Sequence, residues 1–399
     1  MKITGLKLML YTVPYTPRYP HEARQVGPLD IYEEYASGAR RAGMPGSGKT
    51  QDGLCSDAFI VITTDEGVEG IHGPVDYRVQ LLVAADALAA HLIGRDPLEN
   101  RLLWDILSRF ERHARSGAML MAISAVDNAL WDLKGKILGQ PVYKLLGGGR
   151  HTLRPYVSML GFSVEPERVR ERAHMVQAMG VRAQKWFFRY GPGDGTAGMR
   201  ANLAMAQALR EAVGPDDEIM FDCWMGWDIA YARTMFRELE PLRPAFVEEV
   251  LRPHMADAYR ALRQETRIPL AAGEHFYTRM EVAPYLREGT FAVMQSDPEW
   301  CGGITEALRI ADLCELHGVR FIPHGHALLP AMHVVAAMPP DVCPYVEYLL
   351  NFMDHKCCFY KHDRMQPGGL LALNTEPGLG EDVDMARVTQ AREIKAWEV

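Results

Sequence analysis

The sequence has 399 residues and a formal net charge of −8, and 48% of its residues are hydrophobic and 24% are charged. This composition is typical of a globular protein, and the length suits a barrel of about 250 residues with an appended domain. The negative charge and the lack of a polybasic run argue against nucleic acid as a partner.

The apolar run at residues 1–10 is interrupted by Lys7, so it predicts neither a signal peptide nor a membrane span. Seven cysteines form no Cys-x-x-Cys pair and lie mostly among apolar neighbours. We interpret them as buried thiols in a reducing compartment. The sequence therefore predicts a cytoplasmic protein that makes no use of a membrane.

The first 145 residues predict an α+β domain. Residues 3–11 read as a strand, and residues 58–71 read as two strands joined by a turn. Between them, residues 15–55 are rich in Gly, Pro and charged residues, and so long a loop is typically a functional lid or disordered. Helical periodicity follows in three segments, which are 76–92, 97–113 and 118–138. We therefore predict an α+β domain over 1–145 with a mobile lid at 15–55.

Residues 43–50, Gly-Met-Pro-Gly-Ser-Gly-Lys-Thr, match the phosphate-loop pattern in full. Such a loop cradles phosphate only when a buried strand precedes it and a helix follows it. The flanking residues, Ala-Ser-Gly-Ala-Arg-Arg-Ala before and Gln-Asp-Gly-Leu after, predict neither element. We favour a flexible lid, and a phosphate-loop nucleotide hydrolase is a remote alternative.

From residue 146 the pattern changes to strands alternating with helices. Eight strand-like segments alternate with seven helix-length ones, which indicates a parallel sheet and places a barrel over 146–350. The strand segments are 154–160, 182–188, 219–222, 245–248, 269–274, 292–297, 320–324 and 345–350. The final segment, 351–399, lacks this rhythm, and we expect it to pack back on the N-terminal domain.

Three successive strands of this barrel end in carboxylates, at Asp222, Glu248 and Glu274, which follow one another at equal intervals. Function in a parallel barrel lies at the carboxyl ends of the strands, where these side chains converge. Converging carboxylate oxygens are the ligands that Mg²⁺ prefers. Acidic residues after strands also serve as turn formers and helix caps. The even spacing of all three favours the metal site.

Two later strands end in Asp297 and His324, a pattern that predicts a carboxylate orienting an imidazole base. Glu347, in the eighth strand, also lies where a barrel presents catalytic groups. His275 and His326 adjoin these positions, and we interpret both as polar lining or supporting residues.

The second strand places Lys185, Phe187 and Arg189 on one face, where the two cations could hold an anionic substrate. The alternative is that both cations are solvated at the protein surface, as Lys and Arg usually are. Trp224, two residues after Asp222, is a further candidate for contact with substrate.

With these residues in place, the chain resembles the enolase superfamily, in its mandelate racemase branch, and within it the L-rhamnonate dehydratases. The similarity covers most of the chain. The segments that carry it are 122–135, 141–148, 222–225, 248–249, 273–275, 295–298, 300–303 and 323–325.

The resemblance implies a capping domain over a (β/α)7β barrel, with Mg²⁺ held by Asp222, Glu248 and Glu274. It implies that His324 is the acid–base residue and that Asp297 orients it. It also implies that Glu347 forms a hydrogen bond with a carboxylate oxygen of the substrate.

The chain departs from racemases of this branch on the second strand, where a Lys-x-Lys pair is replaced by Lys185-Trp-Phe187, so the second base is missing. We expect a hydro-lyase that removes the C2 proton of an acid sugar and eliminates the C3 hydroxyl to give a 2-keto-3-deoxy acid. Alternatives within the fold are an epimerase, a racemase or a cycloisomerase of a sugar acid. We expect a small-molecule substrate as the partner, and a homo-oligomer.

Overall fold

The structure is a computed structural model that describes residues 1–37, 49–75 and 78–395. Its N-terminal part is an α+β domain built on an antiparallel sheet. In chain order its elements are β1 (Ile3–Pro14), α1 (Glu33–Ala36), β2 (Lys49–Gln51), β3 (Leu54–Thr64), β4 (Glu69–Val75), α2 (Arg78–Leu92), α3 (Asn100–Arg109), α4 (Gly117–Leu138) and α5 (Val142–Leu145).

The sheet of this domain forms around β3, which pairs with β1, β2 and β4. Its Phe-Ile-Val-Ile run, residues 59–62, supplies the β-branched side chains that suit a pleated buried surface. Helix α4 covers the sheet, and nearly every residue from Ala122 to Leu133 is buried. A side chain at Gly70 of β4 would lie 2.4 Å from the Ala129 carbonyl, so glycine is what allows this close contact.

The second domain is a parallel sheet of eight strands with helices between them. Its elements are β5 (Thr152–Leu153), β6 (Pro155–Ser158), α6 (Pro166–Ala178), β7 (Ala183–Phe187), α7 (Gly195–Val213), β8 (Glu218–Asp222), α8 (Ile229–Leu239), β9 (Phe246–Glu248), α9 (Ala256–Glu265), β10 (Leu270–Ala272), α10 (Thr278–Glu288), β11 (Val293–Met294), α11 (Gly303–Leu316), β12 (Arg320–Phe321), α12 (Leu328–Ala337) and β13 (Val346–Leu349).

Strands β6 to β12 follow one another in the sheet, β13 adds beside β6, and every pair in this order is parallel. Seven helices, α6 to α12, connect these eight strands within the described residues. The predicted fold class, a (β/α)7β barrel with an α+β capping domain, is thus confirmed.

The remaining elements are α13 (Leu350–Lys356), β14 (Met365–Gln366), β15 (Leu370–Ala372) and β16 (Gln390–Glu393). Strands β14 and β15 form a small antiparallel sheet with β5, at the start of the barrel domain. Strand β16 pairs with β1 of the capping domain. The C-terminal segment therefore contacts both domains.

Helix α4 attaches the capping domain to the loop that follows β11. The Asn128 side chain donates to the Pro298 carbonyl (3.0 Å) and accepts from the amide of Ile304 (3.0 Å). Asp127 accepts from both the amide (2.8 Å) and the hydroxyl (2.7 Å) of Thr305. Because these hydrogen bonds are buried, breaking any of them would leave a polar group unpaired and would cost free energy. They therefore hold α4 in place against this part of the barrel domain.

Residues 15–37 run across the carboxyl ends of the barrel strands, an edge called the barrel mouth below. The amide of Glu22 donates to the Gly161 carbonyl (2.7 Å), and that of Val26 donates to the Phe188 carbonyl (2.8 Å). The hydroxyl of Tyr15 donates to Asp354 on α13 (3.1 Å). This part of the predicted lid therefore lies over the mouth.

The phosphate-loop match at 43–50 lies largely outside the described residues. Its last two residues, Lys49 and Thr50, begin β2 and pair with β3. A strand therefore occupies the position at which a phosphate loop needs a helix. β2 also shortens the loop predicted at 15–55, because pairing with β3 outweighs the polar composition of 49–51.

All seven cysteines lie within the described residues, none of them forms a disulfide bond, and all except Cys357 are buried. Among the described residues, no helix combines the length and the apolar character that crossing a bilayer requires.

We expect Asp127→Ala to lower the free energy of unfolding by about 2–4 kcal/mol, because the buried amide and the buried hydroxyl proton of Thr305 lose their acceptor. Asp105→Ala, which removes an exposed pair with Arg109, should change it by less than about 0.5 kcal/mol. Thermal and urea unfolding measure both variants. Equal losses would contradict this account of how the domains are joined.

We expect Glu22→Gln to loosen the lid, because the Glu22 carboxylate accepts from Arg168 (3.1 Å), Arg172 (3.0 Å) and the amide of Ser163 (3.1 Å). Losing about 1–2 kcal/mol of local stability should speed tryptic cleavage within residues 15–37 roughly 5- to 30-fold. Glu167→Gln, which removes an exposed ion pair with Arg170 on α6, is the control and should leave cleavage unchanged. Identical rates in both variants would show that this contact does not hold the lid.

Candidate active site

The barrel strands bring the predicted residues to the mouth. Lys185 lies in β7, Asp222 and Glu248 are the last residues of β8 and β9, and Glu347 lies in β13. The remaining residues lie two or three positions beyond the ends of β10, β11 and β12, and they are Glu274, Asp297 and His324. All seven side chains are buried. Because the strands are parallel, residues that are far apart in the chain lie close together at the mouth.

Lys185 links three of these carboxylates. Its ammonium lies 3.1 Å from Asp222 Oδ2 and 2.8 Å from Glu347 Oε1, and it also contacts Glu248. Burial would lower the pKa of Lys185, but the carboxylates outweigh burial and raise the pKa well above its ordinary value. Lys185 is therefore a buried cation, not a surface one, and its bound proton makes it unsuitable as a base.

Burial raises the pKa of three carboxyl groups in this cluster, of Asp222 to about 7, of Glu248 to about 8 and of Glu274 to about 7. Lys185 opposes the shift at Asp222 and Glu248, and His324 opposes it at Glu274. Neighbouring carboxylates add to the rise in each pKa, so a further cation at this cluster would favour the ionised forms and be attracted to them.

Glu249 is a fourth buried carboxylate in this cluster, and the sequence analysis missed it. Successive strand residues point to opposite faces, so strand periodicity alone would turn a carboxylate directly after Glu248 away from it. Glu249 has φ of 41°, and this left-handed backbone turns its side chain toward Glu274 and His275. Ligand atoms of these three residues lie within 4.8 Å of one another.

The residues present fit a hard divalent cation. Glu248 Oε1 and Glu249 Oε2 are buried and accept no hydrogen bond from the described residues, although buried carboxylate oxygens are normally paired. Oxygen-rich ligand sets of this kind suit Mg²⁺. The predicted ligands Asp222, Glu248 and Glu274 lie in this cluster, and Glu274 also belongs to the group with Glu249 and His275 whose potential ligand atoms lie within 4.8 Å of one another.

Asp297 and His324 form a hydrogen-bonded pair, with 2.7 Å between Oδ2 of Asp297 and Nδ1 of His324. An acceptor at Nδ1 places the proton of neutral imidazole there and leaves Nε2 to accept a proton. Nε2 lies 3.1 Å from Glu274. Burial would lower the pKa of His324, but Glu274 and Asp297 outweigh burial and raise it to about 10.

Glu347 is held on both oxygens. One oxygen contacts Lys185, and the other accepts from the amide of Gly325 (3.0 Å). Burial would raise the pKa of Glu347, but Lys185 and His324 outweigh burial and lower it to about 2. Glu347 is therefore ionised in this arrangement and accepts hydrogen bonds, whereas the sequence analysis expected it to bond a substrate carboxylate.

Strand β7 lies across the mouth from His324. The residue that follows Trp186 in this strand has no group that can carry a proton. Phe187 is buried there, and its ring centroid lies 5.3 Å from the ammonium of Lys185. The pair Asp297–His324 is thus opposed by an aromatic ring and a protonated lysine. Such an arrangement supplies one base.

The other predicted site residues are His275, Trp224 and Arg189, and they do not all lie at the carboxylate cluster. His275 lies within the cluster, 2.8 Å from Glu249 and 3.2 Å from Glu274. The Trp224 amide donates to Asp222 (2.8 Å), and the Trp224 ring lies against Gly27 of the lid. Arg189 forms no ion pair with any described residue, and its guanidinium lies 5.2 Å from the ring of Tyr190. The structure therefore does not bring Arg189 to the carboxylates.

Comparison with known proteins agrees with this geometry. Residues 168–387 match the family described as Enolase C-terminal domain-like, and residues 52–147 match the Mandelate racemase / muconate lactonizing enzyme, N-terminal domain. The D-galactonate dehydratase of Ralstonia nicotianae is 34% identical over 358 residues. The match covers 85% of this chain and 92% of that protein.

Two solved structures share the whole architecture. The L-rhamnonate dehydratase of Gibberella zeae superposes with a TM-score of 0.81 at 26% identity, covering 98% of this chain and 96% of that one. The 3,6-anhydro-D-galactonate cycloisomerase of Zobellia galactanivorans superposes with a TM-score of 0.76 at 27% identity, covering 98% and 100%. With both of its domains matched, this chain belongs to the enolase superfamily, in its mandelate racemase branch.

Proposed function

We propose that the protein is a Mg²⁺-dependent acid-sugar dehydratase, a hydro-lyase that converts an aldonate to a 2-keto-3-deoxy acid. The observation that carries this proposal is the single base, His324, held by Asp297 beside a buried carboxylate cluster and opposite Phe187. Relatives that are D-galactonate and L-rhamnonate dehydratases support the reaction class. The particular sugar acid is chosen by residues over the mouth, since a fold does not set a substrate.

Asp222, Glu248 and Glu274 would hold Mg²⁺, and Glu249 is close enough to Glu274 to assist. When bound, the ion would engage the substrate carboxylate and stabilise the negative charge that develops there as the C2 proton leaves. His324 must be neutral to act as a base, and Glu274, which raises its pKa, would share its charge with that ion.

The chain's own groups complete the reaction. Lys185 carries a fixed positive charge, and we assign it to an oxygen of the substrate carboxylate, with Glu347 holding its ammonium in place. His324 Nε2 takes the proton from C2. The same nitrogen then returns a proton to the C3 hydroxyl, which leaves as water, and the enol product becomes the 2-keto-3-deoxy acid.

Phe187 explains why we favour elimination over racemisation. Inverting C2 needs one base on each face of the substrate, and Phe187 cannot supply or accept a proton. Lys185 shares that face, but the surrounding carboxylates hold its pKa far above neutrality. One residue acting in turn as base and acid on one face is sufficient for a syn dehydration.

A second candidate is a cycloisomerase, which the structural similarity to the 3,6-anhydro-D-galactonate cycloisomerase favours. It could use the same base and the same carboxylates. The two candidates differ in the bond that breaks or forms after C2 loses its proton, so product analysis separates them.

The direct test is a library of acid sugars, including D-galactonate and L-rhamnonate, incubated with the protein in D₂O and followed by NMR. We expect a 2-keto-3-deoxy product, no C2 epimer in the recovered substrate, and loss of turnover with EDTA that Mg²⁺ restores. Recovery of the C2 epimer would contradict the proposed dehydratase activity and would favour an epimerase. Full turnover by the metal-free protein would show that the reaction does not need a metal ion.

Replacing the base should stop the chemistry while leaving the fold intact. We expect His324→Asn to lower kcat by about 10²–10⁴-fold, the usual contribution of general acid–base catalysis. His317→Asn, at an exposed position after α11, is the control and should retain the wild-type rate. Steady-state kinetics on the best acid sugar measure both, and a near-normal rate in His324→Asn would assign the base to another residue.

A further inference from the structure

A buried lysine outside the reaction described above contacts both loops that carry the acid–base pair. Lys356 is the last residue of α13, and its side chain is 7% exposed. Its ammonium lies 3.1 Å from Glu299 Oε2, 2.8 Å from the carbonyl oxygen of His326 and 3.1 Å from Nδ1 of His326. Three donor protons on an ammonium suit these three acceptors.

The partners of Lys356 are two residues beyond each member of the pair, and their amides hold the pair together. The amide of Glu299 donates to Asp297 Oδ1 (2.6 Å), and that of His326 donates to Asp297 Oδ2 (3.0 Å). The second oxygen is the one that lies 2.7 Å from His324 Nδ1. A shift of either loop would therefore move the carboxylate that orients the base.

The charges around Lys356 are consistent with this role. Burial and Lys356 together lower the pKa of His326 to about 4, so its imidazole is neutral and Nδ1 can accept from the ammonium. Burial would raise the pKa of Glu299, but Lys356 outweighs burial and lowers it well below its ordinary value. The ammonium and Glu299 thus form a buried ion pair that is costly to break by removing one partner.

We propose that Lys356 is a positioning residue of the reaction, whose ammonium joins the loop after Asp297 to the loop after His324 and so fixes the geometry of the acid–base pair. The inference rests on the proposed role of His324 as the base. Lys356 touches no reacting atom, and it acts through the amides of Glu299 and His326.

The test is Lys356→Met, measured in the full-length protein with Mg²⁺ present. We expect kcat to fall roughly 10- to 100-fold while KM stays within about threefold, because misplacing a supporting residue disturbs the chemical step more than substrate binding. Lys136→Met is the matched control, since Lys136 is a partly buried lysine of the capping domain that pairs with Asp132 (2.8 Å). It should leave kcat unchanged.

A second measurement needs no substrate. Hydrogen exchange followed by mass spectrometry should show faster exchange in Lys356→Met at peptides covering 297–302 and 324–328, with other peptides unchanged. If the single variant does not fold, Lys356→Met with Glu299→Gln removes the unpaired buried carboxylate and is measured in its place.

The outcomes separate this inference from the proposed function. Unchanged exchange at both peptides would overturn the inference, and so would a general rise in exchange with kcat and KM impaired together, since that marks a merely structural lysine. If the wild-type protein turns over no acid sugar, the proposed function fails, and the exchange at these two peptides still decides the positioning role.

Discussion

The charge balance around Lys185 is the interaction on which the barrel mouth depends. Parallel strands deliver their carboxyl-terminal residues to one edge, so carboxylates that are far apart in the chain become buried neighbours. Like charges in such a place raise one another's pKa, and a cation must accompany them. Lys185 serves Asp222, Glu248 and Glu347 at once, which leaves Glu274 and Glu249 as the part of the cluster most open to a metal.

Residues outside the barrel contact the segments that form this edge. Helix α4 of the capping domain contacts the loop after β11 through Asn128 and the first turn of α11 through Asp127, and the C-terminal helix α13 reaches the same loop through Lys356. The loop that carries Asp297 thus contacts side chains of both the capping domain and α13. These contacts give the motif at 122–135, which lies far from His324 in the chain, a structural connection to the predicted site residues.

Much of the fold and part of the site could be predicted from the sequence. The strand–helix rhythm identified the eight barrel strands because each is a short apolar run, and the pair Asp297–His324 followed from the ends of two strands. Glu249 could not be found this way, because its contribution depends on a left-handed backbone and not on strand periodicity. Lys356 lies in a segment without periodicity, and its partners come from distant loops. The ion pairs of Glu347 depend on tertiary contacts in the same way.

Strand β16 pairs with β1, so almost the whole chain separates two neighbours in the sheet of the capping domain. During synthesis β1 leaves the ribosome before the barrel, and its partner β16 leaves after it. One edge of β1 therefore stays open while the barrel is made, and this pairing can form only after the barrel has been synthesised. Until β16 pairs there, that edge is open to association with a strand of another chain.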